Sequence, residues 1–156
     1  MNSNHDVLVV EDNHEWANLL GHCLTSLEFT FVKVATKHDA LAELAKRKFA
    51  VAIVDLKIPN GHNGGTIDAG LDVVRWINEH SHSTAALVVS VVEETDIITA
   101  ALDAGAQAYI TKKDFRVECF AKKMEQCVTY YRKLEEWSGN KPAIDKVEDS
   151  VKSMSK

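Results

Sequence analysis

VAIVDLKIPNG, residues 51–61, decides how this chain is read. An apolar run that starts at Ala50 and is rich in β-branched residues stops at Asp55. Leu56, Lys57, Ile58 and a Pro59-Asn60-Gly61 turn follow. A short continuous apolar run bounded by turn residues predicts a strand buried on both faces. Such a strand has no local use for a carboxylate at its carboxyl end, so Asp55 must answer to something brought there by the rest of the chain.

Working outward, the same kind of strand recurs. Residues 6–10 (DVLVV), 29–34, 85–89 and 108–111 read as strands. Helical periodicity separates them. Residues 13–27 place Trp16, Leu19, Leu20, Cys23, Leu24 and Leu27 on one face. Thr36 is placed to cap a helix carrying Leu41, Leu44 and Ala45. Residues 71–79, 95–104 and 114–137 read as three more helices, with Gly105 placed to terminate the second of these. Five β/α pairs with continuous apolar strands predict an α/β fold, a parallel sheet covered on both faces. Right-handed crossovers then make it doubly wound, and its crevice lies at the carboxyl ends of the strands.

The 156 residues suffice for one domain with a sizeable core. A net charge of −5 gives no pull toward nucleic acid or an anionic membrane. No apolar run approaches the roughly 20 residues of a membrane span, and MNSNHDVLVVEDN lacks the pattern of a signal peptide. Cys23, Cys119 and Cys127 fall on apolar helical positions and read as reduced thiols in a cytoplasmic protein. Residues 1–137 form the expected domain, and residues 138–156 are expected to be a loose polar tail.

The strand ends carry the chemistry. Glu11 and Asp12 close the first strand, Asp55 the third, Ser90 the fourth, and Thr111-Lys112 the fifth. In a doubly wound sheet these meet at one crevice. Two carboxylates about 4 Å apart at an effective dielectric of about 20 repel by roughly 4 kcal/mol. A divalent cation relieves this, and Mg²⁺ prefers a few carboxylates with water and phosphate oxygens. An ionised Asp55 is then a nucleophile able to take a phosphoryl group as an acyl phosphate. Lys112 and the Ser90 hydroxyl would meet two of its oxygens.

In order along the chain, VLVVEDN, VAIVDLKIPNG, ALVVS and GAQAYITK resemble the receiver domain of two-component response regulators, over residues 6 to about 130. The resemblance implies a flavodoxin-like five-stranded parallel sheet in the order 2-1-3-4-5, with Asp55 as phosphoacceptor. It implies that the Lys57 carbonyl joins Glu11, Asp12 and Asp55 around Mg²⁺, and that Tyr109 is an aromatic switch. It also implies a sensor histidine kinase or histidine phosphotransfer protein as donor, a downstream protein partner, and no enzyme activity beyond the domain's own phosphorylation and slow dephosphorylation. With only residues 138–156 beyond the last helix, a single-domain regulator of the chemotaxis-regulator-like type is expected.

Four features depart from the family pattern. Val91 follows Ser90 in place of a small residue and is expected to narrow access to the phosphoryl group. Lys113 stands where proline is usual. Residues 61–70 hold four of the seven glycines and lengthen the connection after Asp55. The last helix is long, about 36 Å at 1.5 Å per residue, against roughly 17–20 Å for a strand. Its apolar positions Val117, Phe120, Met124, Cys127, Tyr131 and Leu134 are spaced 3, 4, 3, 4, 3. Tyr130, Tyr131, Leu134 and Trp137 are therefore read as a partner surface, including a possible homodimer, with a folded-back tail as the alternative cover. Two other functions compete. A haloacid-dehalogenase-type phosphohydrolase wants a second aspartate where Lys57 stands, and a degenerate receiver used only for binding would lack part of the Glu11–Asp12–Asp55–Lys112 set.

Overall fold

The computed structural model describes residues 6–61 and 65–139, with no side-chain placement for Glu135 or residues 137–139. Residues 140–156 of the expected tail and 62–64 of the glycine-rich stretch lie outside the described residues, while Ser138 and Gly139 belong to the last helix. Five strands, β1 (Asp6–Val10), β2 (Thr30–Val34), β3 (Val51–Val54), β4 (Ala85–Ser90) and β5 (Ala108–Thr111), pair in parallel in the order β2-β1-β3-β4-β5. The expected doubly wound order is the one observed.

Alternation along the strands builds two cores. Leu8, Val10, Ala52, Val54, Ala86 and Val88 face α2 (Lys37–Lys46), α3 (Ile67–His80) and α4 (Thr95–Asp103). Val7, Val9, Val51, Ile53, Leu87 and Val89 face α1 (His14–Ser26) and α5 (Val117–Gly139). Both strand faces are therefore buried, the physical reason the strands read as unbroken apolar runs rather than alternating ones. Side-chain caps start three of the helices. Asn13, Thr36 and Thr66 accept from the backbone N–H groups of Trp16, Asp39 and Ala69.

Three details differ from expectation. First, α3 begins at Ile67, four positions before Leu71, so Gly70 is helical rather than part of a loop. A Cβ at Gly70 would sit 2.3 Å from the Leu56 Cα and 2.6 Å from the Asp55 carbonyl oxygen. Gly70 is there to let α3 approach the end of β3, and its N–H donates to the Leu56 carbonyl at 3.0 Å. Second, α5 starts at Val117 because Lys112–Asp114 form a 3₁₀ turn, with no cis peptide among the described residues. Third, Val117 is 52% exposed although its spacing places it in the α5 seam; Phe120, Met124 and Cys127 are buried as that seam predicts. Cys119 is exposed, not apolar-facing, while Cys23 and Cys127 are buried.

Candidate functional site

Backbone pairing runs one residue beyond the strands and fixes the acidic groups side by side. The Asp55 N–H donates to the Val10 carbonyl at 2.9 Å, and the Glu11 N–H to the Val34 carbonyl at 3.0 Å. Glu11 and Asp55 thus stand at adjacent strand ends, 4% and 6% exposed. Asp12 is exposed at the rim, and one oxygen from each of the three carboxylates falls within 4.8 Å of the others.

Lys112 closes the site from β5. Its Nζ is 2.7 Å from Glu11 Oε1 and 3.2 Å from Asp55 Oδ2, and its side chain is only 7% exposed. The contact to Glu11 is an ion pair, and among the described residues Glu11 Oε1 and Asp55 Oδ1 are buried without a hydrogen-bond partner. The other Glu11 oxygen accepts from the Asn13 N–H at 3.2 Å. One ammonium cannot neutralise two buried carboxylates. Burial first, then the nearby Asp55 charge, pushes the Glu11 carboxyl up to about 7, against the pull of Lys112. A buried carboxylate oxygen with no partner is costly in isolation and suits a cation that supplies the missing charge. The donor set, all oxygens from carboxylates beside an open rim, is that of a hard divalent ion such as Mg²⁺.

Ser90 is fully buried at the end of β4, opposite Thr111 in the β4–β5 register. Its Oγ accepts from the Val92 N–H at 3.3 Å. Tyr109 packs against the α2–α3–α4 core and donates its hydroxyl to the Val92 carbonyl at 2.7 Å. Burial raises its phenol above the ordinary range. The segment after Ser90 is therefore held on one side by the Ser90 side chain and on the other by Tyr109. Val91, 59% exposed, lines an open cleft with Lys57, Thr66, Ile67, Glu93 and Glu94. Lys57 itself is exposed, and its carbonyl lies close to Gly65.

The structure thus brings together Glu11, Asp12, Asp55 and Lys112, with Ser90 and Tyr109 on the neighbouring strands. It does not bring the α5 residues to this site. Tyr131 packs against the α1–α5 core, so it has cover that the sequence did not show; Tyr130 is 39% exposed, Leu134 is half-buried, and the Trp137 side chain lies outside the described residues. Sequence pattern places Trp16 near Asp12, as a fluorescent reporter of the metal, but gives it no contact with Lys112. Its ring faces Lys112 Nζ at 4.9 Å. The only local signal is an aromatic residue one helical turn beyond Asp12.

The sequence profile of the response regulator receiver domain matches residues 7–124, and the chain belongs to that family. It is 30% identical over 141 residues to the regulatory protein VanR of Enterococcus faecium, covering 90% of this chain and 56% of that protein. It is 32% identical over 107 residues to the KDP operon transcriptional regulatory protein KdpE of Escherichia coli, covering 69% of this chain and 44% of that one. The chain therefore spans about half the length of these curated relatives. Among solved structures, the fold matches a CheY-like response regulator receiver domain protein from Methanospirillum hungatei with a TM-score of 0.73 at 20% identity, covering 84% of this chain and 98% of that one. It also matches the signal receiver domain of a putative LuxO repressor from Vibrio parahaemolyticus with a TM-score of 0.74 at 23% identity, covering 87% and 98%. None of the described helices is long and apolar enough to cross a membrane.

Proposed function

We propose that this receiver domain accepts a phosphoryl group on Asp55 from the phosphohistidine of a sensor histidine kinase or histidine phosphotransfer protein, and signals by docking to a protein partner. The observation that carries the reading is the strand-end cluster in which Lys112 is shared by Glu11 and Asp55 while Asp55 Oδ1 stays buried with no hydrogen-bond partner among the described residues. An Asp55 carboxylate oxygen bonds to phosphorus as the phosphorus–nitrogen bond breaks, and the electron pair leaves with the histidine ring. Lys112 holds its ammonium where it meets a phosphoryl oxygen, and the Ser90 hydroxyl turns from its backbone partner to donate to another. That release frees the segment ending at Val92, which Tyr109 also holds, and Tyr109 then follows as the switch. Glu11, Asp12, Asp55 and the Lys57 carbonyl would hold Mg²⁺, which when bound neutralises charge on the phosphoryl oxygens.

No catalysis is proposed beyond this phosphorylation and the slow hydrolysis that frees Asp55 and inorganic phosphate, and the proposed site of action is the cytoplasm. Tyr130, Tyr131, Leu134 and Trp137 on the distal half of α5 form the proposed partner surface, with a second copy of this chain as one occupant. Incubation with acetyl phosphate and Mg²⁺, followed by intact mass, tests the central claim. One phosphoryl group is expected, none without divalent metal, and none on Asp55→Asn. Undiminished labelling of Asp55→Asn removes the assignment.

A further inference from the structure

Lys112 has a third neighbour besides its two carboxylates. Trp16 sits in the first turn of α1, where its backbone N–H donates to the capping side chain of Asn13 at 3.0 Å. Its ring lies over Lys112 Nζ at 4.9 Å and meets the Phe115 ring edge-on at 5.3 Å and 83°. Phe115 in turn tilts against Phe120 at 5.5 Å, and Phe120, on the sheet-facing side of α5, is fully buried. The helix cap therefore holds the backbone of Trp16, and an aromatic chain rooted in the core holds its ring.

This matters because a lysine is a compact charge on a flexible stem of four carbons. Its two carboxylates pull the ammonium inward but leave its other side open. An aromatic face attracts the ammonium and keeps water from that side. We propose that Trp16 is a positioning residue for Lys112, holding the ammonium at the height where an arriving phosphoryl oxygen meets it. The proposal rests on the phosphoacceptor reading of Asp55. Trp16 brings no oxygen ligand to the acidic cluster and acts only through Lys112, so metal binding should not depend on it. When a phosphoryl group draws the ammonium toward Asp55, the charge above the indole moves and the Trp16 emission changes with it.

Two Trp16 variants test this, read first by phosphoryl gain with Mg²⁺ affinity as its control, and second by emission together with Lys112→Met. Trp16→Leu keeps an apolar side chain without the aromatic face; Trp16→Phe keeps a smaller face. With acetyl phosphate and Mg²⁺, Trp16→Leu should gain the phosphoryl group about tenfold more slowly, and Trp16→Phe within about threefold of the unaltered protein. Mg²⁺ affinity by calorimetry should stay within about twofold in both. Equal rates in all three proteins, equal slowing in both variants, or slowing that tracks lost Mg²⁺ affinity each overturns the positioning role. The second readout needs no phosphorylation. The difference in emission between the unaltered protein and Trp16→Phe isolates Trp16 from the other two tryptophans. Lys112→Met, without metal, should shift that difference spectrum, and an unshifted spectrum overturns the contact. If the unaltered protein gains no phosphoryl group, the reading of Asp55 fails, and the emission experiment still decides whether Trp16 holds Lys112.

Discussion

At the amino end of β1, the Asp6 carboxylate accepts hydrogen bonds from the Thr30 hydroxyl and the Arg47 guanidinium. The Thr30 bond first, then Arg47, holds its carboxyl below the ordinary range in spite of partial burial. At the carboxyl end of the same strand, Glu11 shares one lysine with Asp55 and is pushed up to about 7 by burial and by that neighbour. One end of the sheet gives a carboxylate all the partners it needs; the other gathers more carboxylates than its partners can neutralise. The difference separates the part of the molecule that holds the fold from the part proposed to take a cation and a phosphoryl group. Changes at the amino end should move stability alone, and changes at the carboxyl end should trade stability against function.

The largest effect is expected at Glu11 in metal-free protein. An acid whose folded pKa is raised destabilises the fold once the unfolded chain has ionised. Stability should therefore fall as pH rises from 4.5 through about 7. Glu11→Gln stays neutral, so at pH 8 with a chelator it should be more stable than the unaltered protein by on the order of 2 kcal/mol. The difference should fade in acid, and saturating Mg²⁺ should narrow it from the other side. Denaturant titrations at three pH values check this, and a Glu11→Gln that is no more stable at pH 8 breaks the comparison.

Next comes Asp12. It supplies the exposed rim of the acidic cluster, whereas Glu43 pairs with Lys46 at 2.7 Å on α2, away from the strand ends. Asp12→Ala should weaken Mg²⁺ by about tenfold or more, or roughly 1.4 kcal/mol, and Glu43→Ala should leave it within about twofold. Calorimetry giving one affinity for both would remove the metal site.

Asp6→Ala should cost about 1 kcal/mol at pH 7, a hydrogen-bonded ion pair discounted for its exposure. Here the sign is opposite to that of Glu11. A lowered folded pKa contributes stability above the unfolded value and loses it as pH falls through the folded one. The gap between Asp6→Ala and the unaltered protein should be full above pH 3.8 and shrink below it. Phosphorylation should be unaffected; a slowed phosphoryl gain would show the two ends to be coupled.

The smallest effect is at Glu28, which follows α1 at the same end of the sheet with a φ of 66°. A left-handed backbone disfavours a residue with a Cβ by about 1 kcal/mol, so Glu28→Gly should stabilise by up to about that much and raise the thermal midpoint by a few degrees. A lower midpoint would mean that the Glu28 side chain contributes more than its backbone strain removes.

Much of the fold and the acidic cluster is legible in local sequence pattern, for a physical reason. The strands announce themselves because both faces of a parallel sheet are buried, so VLVV, VAIV and ALVV carry no polar alternation. Glu11, Asp12, Asp55, Ser90 and Lys112 announce themselves because parallel strands put all their carboxyl ends on one edge. Knowing the strands is then knowing which residues share that edge. Gly70 reads as loop because glycine is a poor helix residue in isolation. Its reason lies across the chain, in the Leu56 backbone that no side chain could approach.

The sequence by itself determined the class of fold, the edge where the charged groups gather and the residues on that edge, since each follows from a local pattern of period or position. Only the tertiary structure decided how the charges are shared. That Lys112 meets Glu11, Asp55 and Trp16 at once, that Asp55 Oδ1 has no hydrogen-bond partner among the described residues, and that Asp6 finds Thr30 and Arg47 depend on distances between groups remote in sequence. Those distances are set by strand register and helix packing, and electrostatic interaction changes steeply over the few ångströms that a local pattern does not specify.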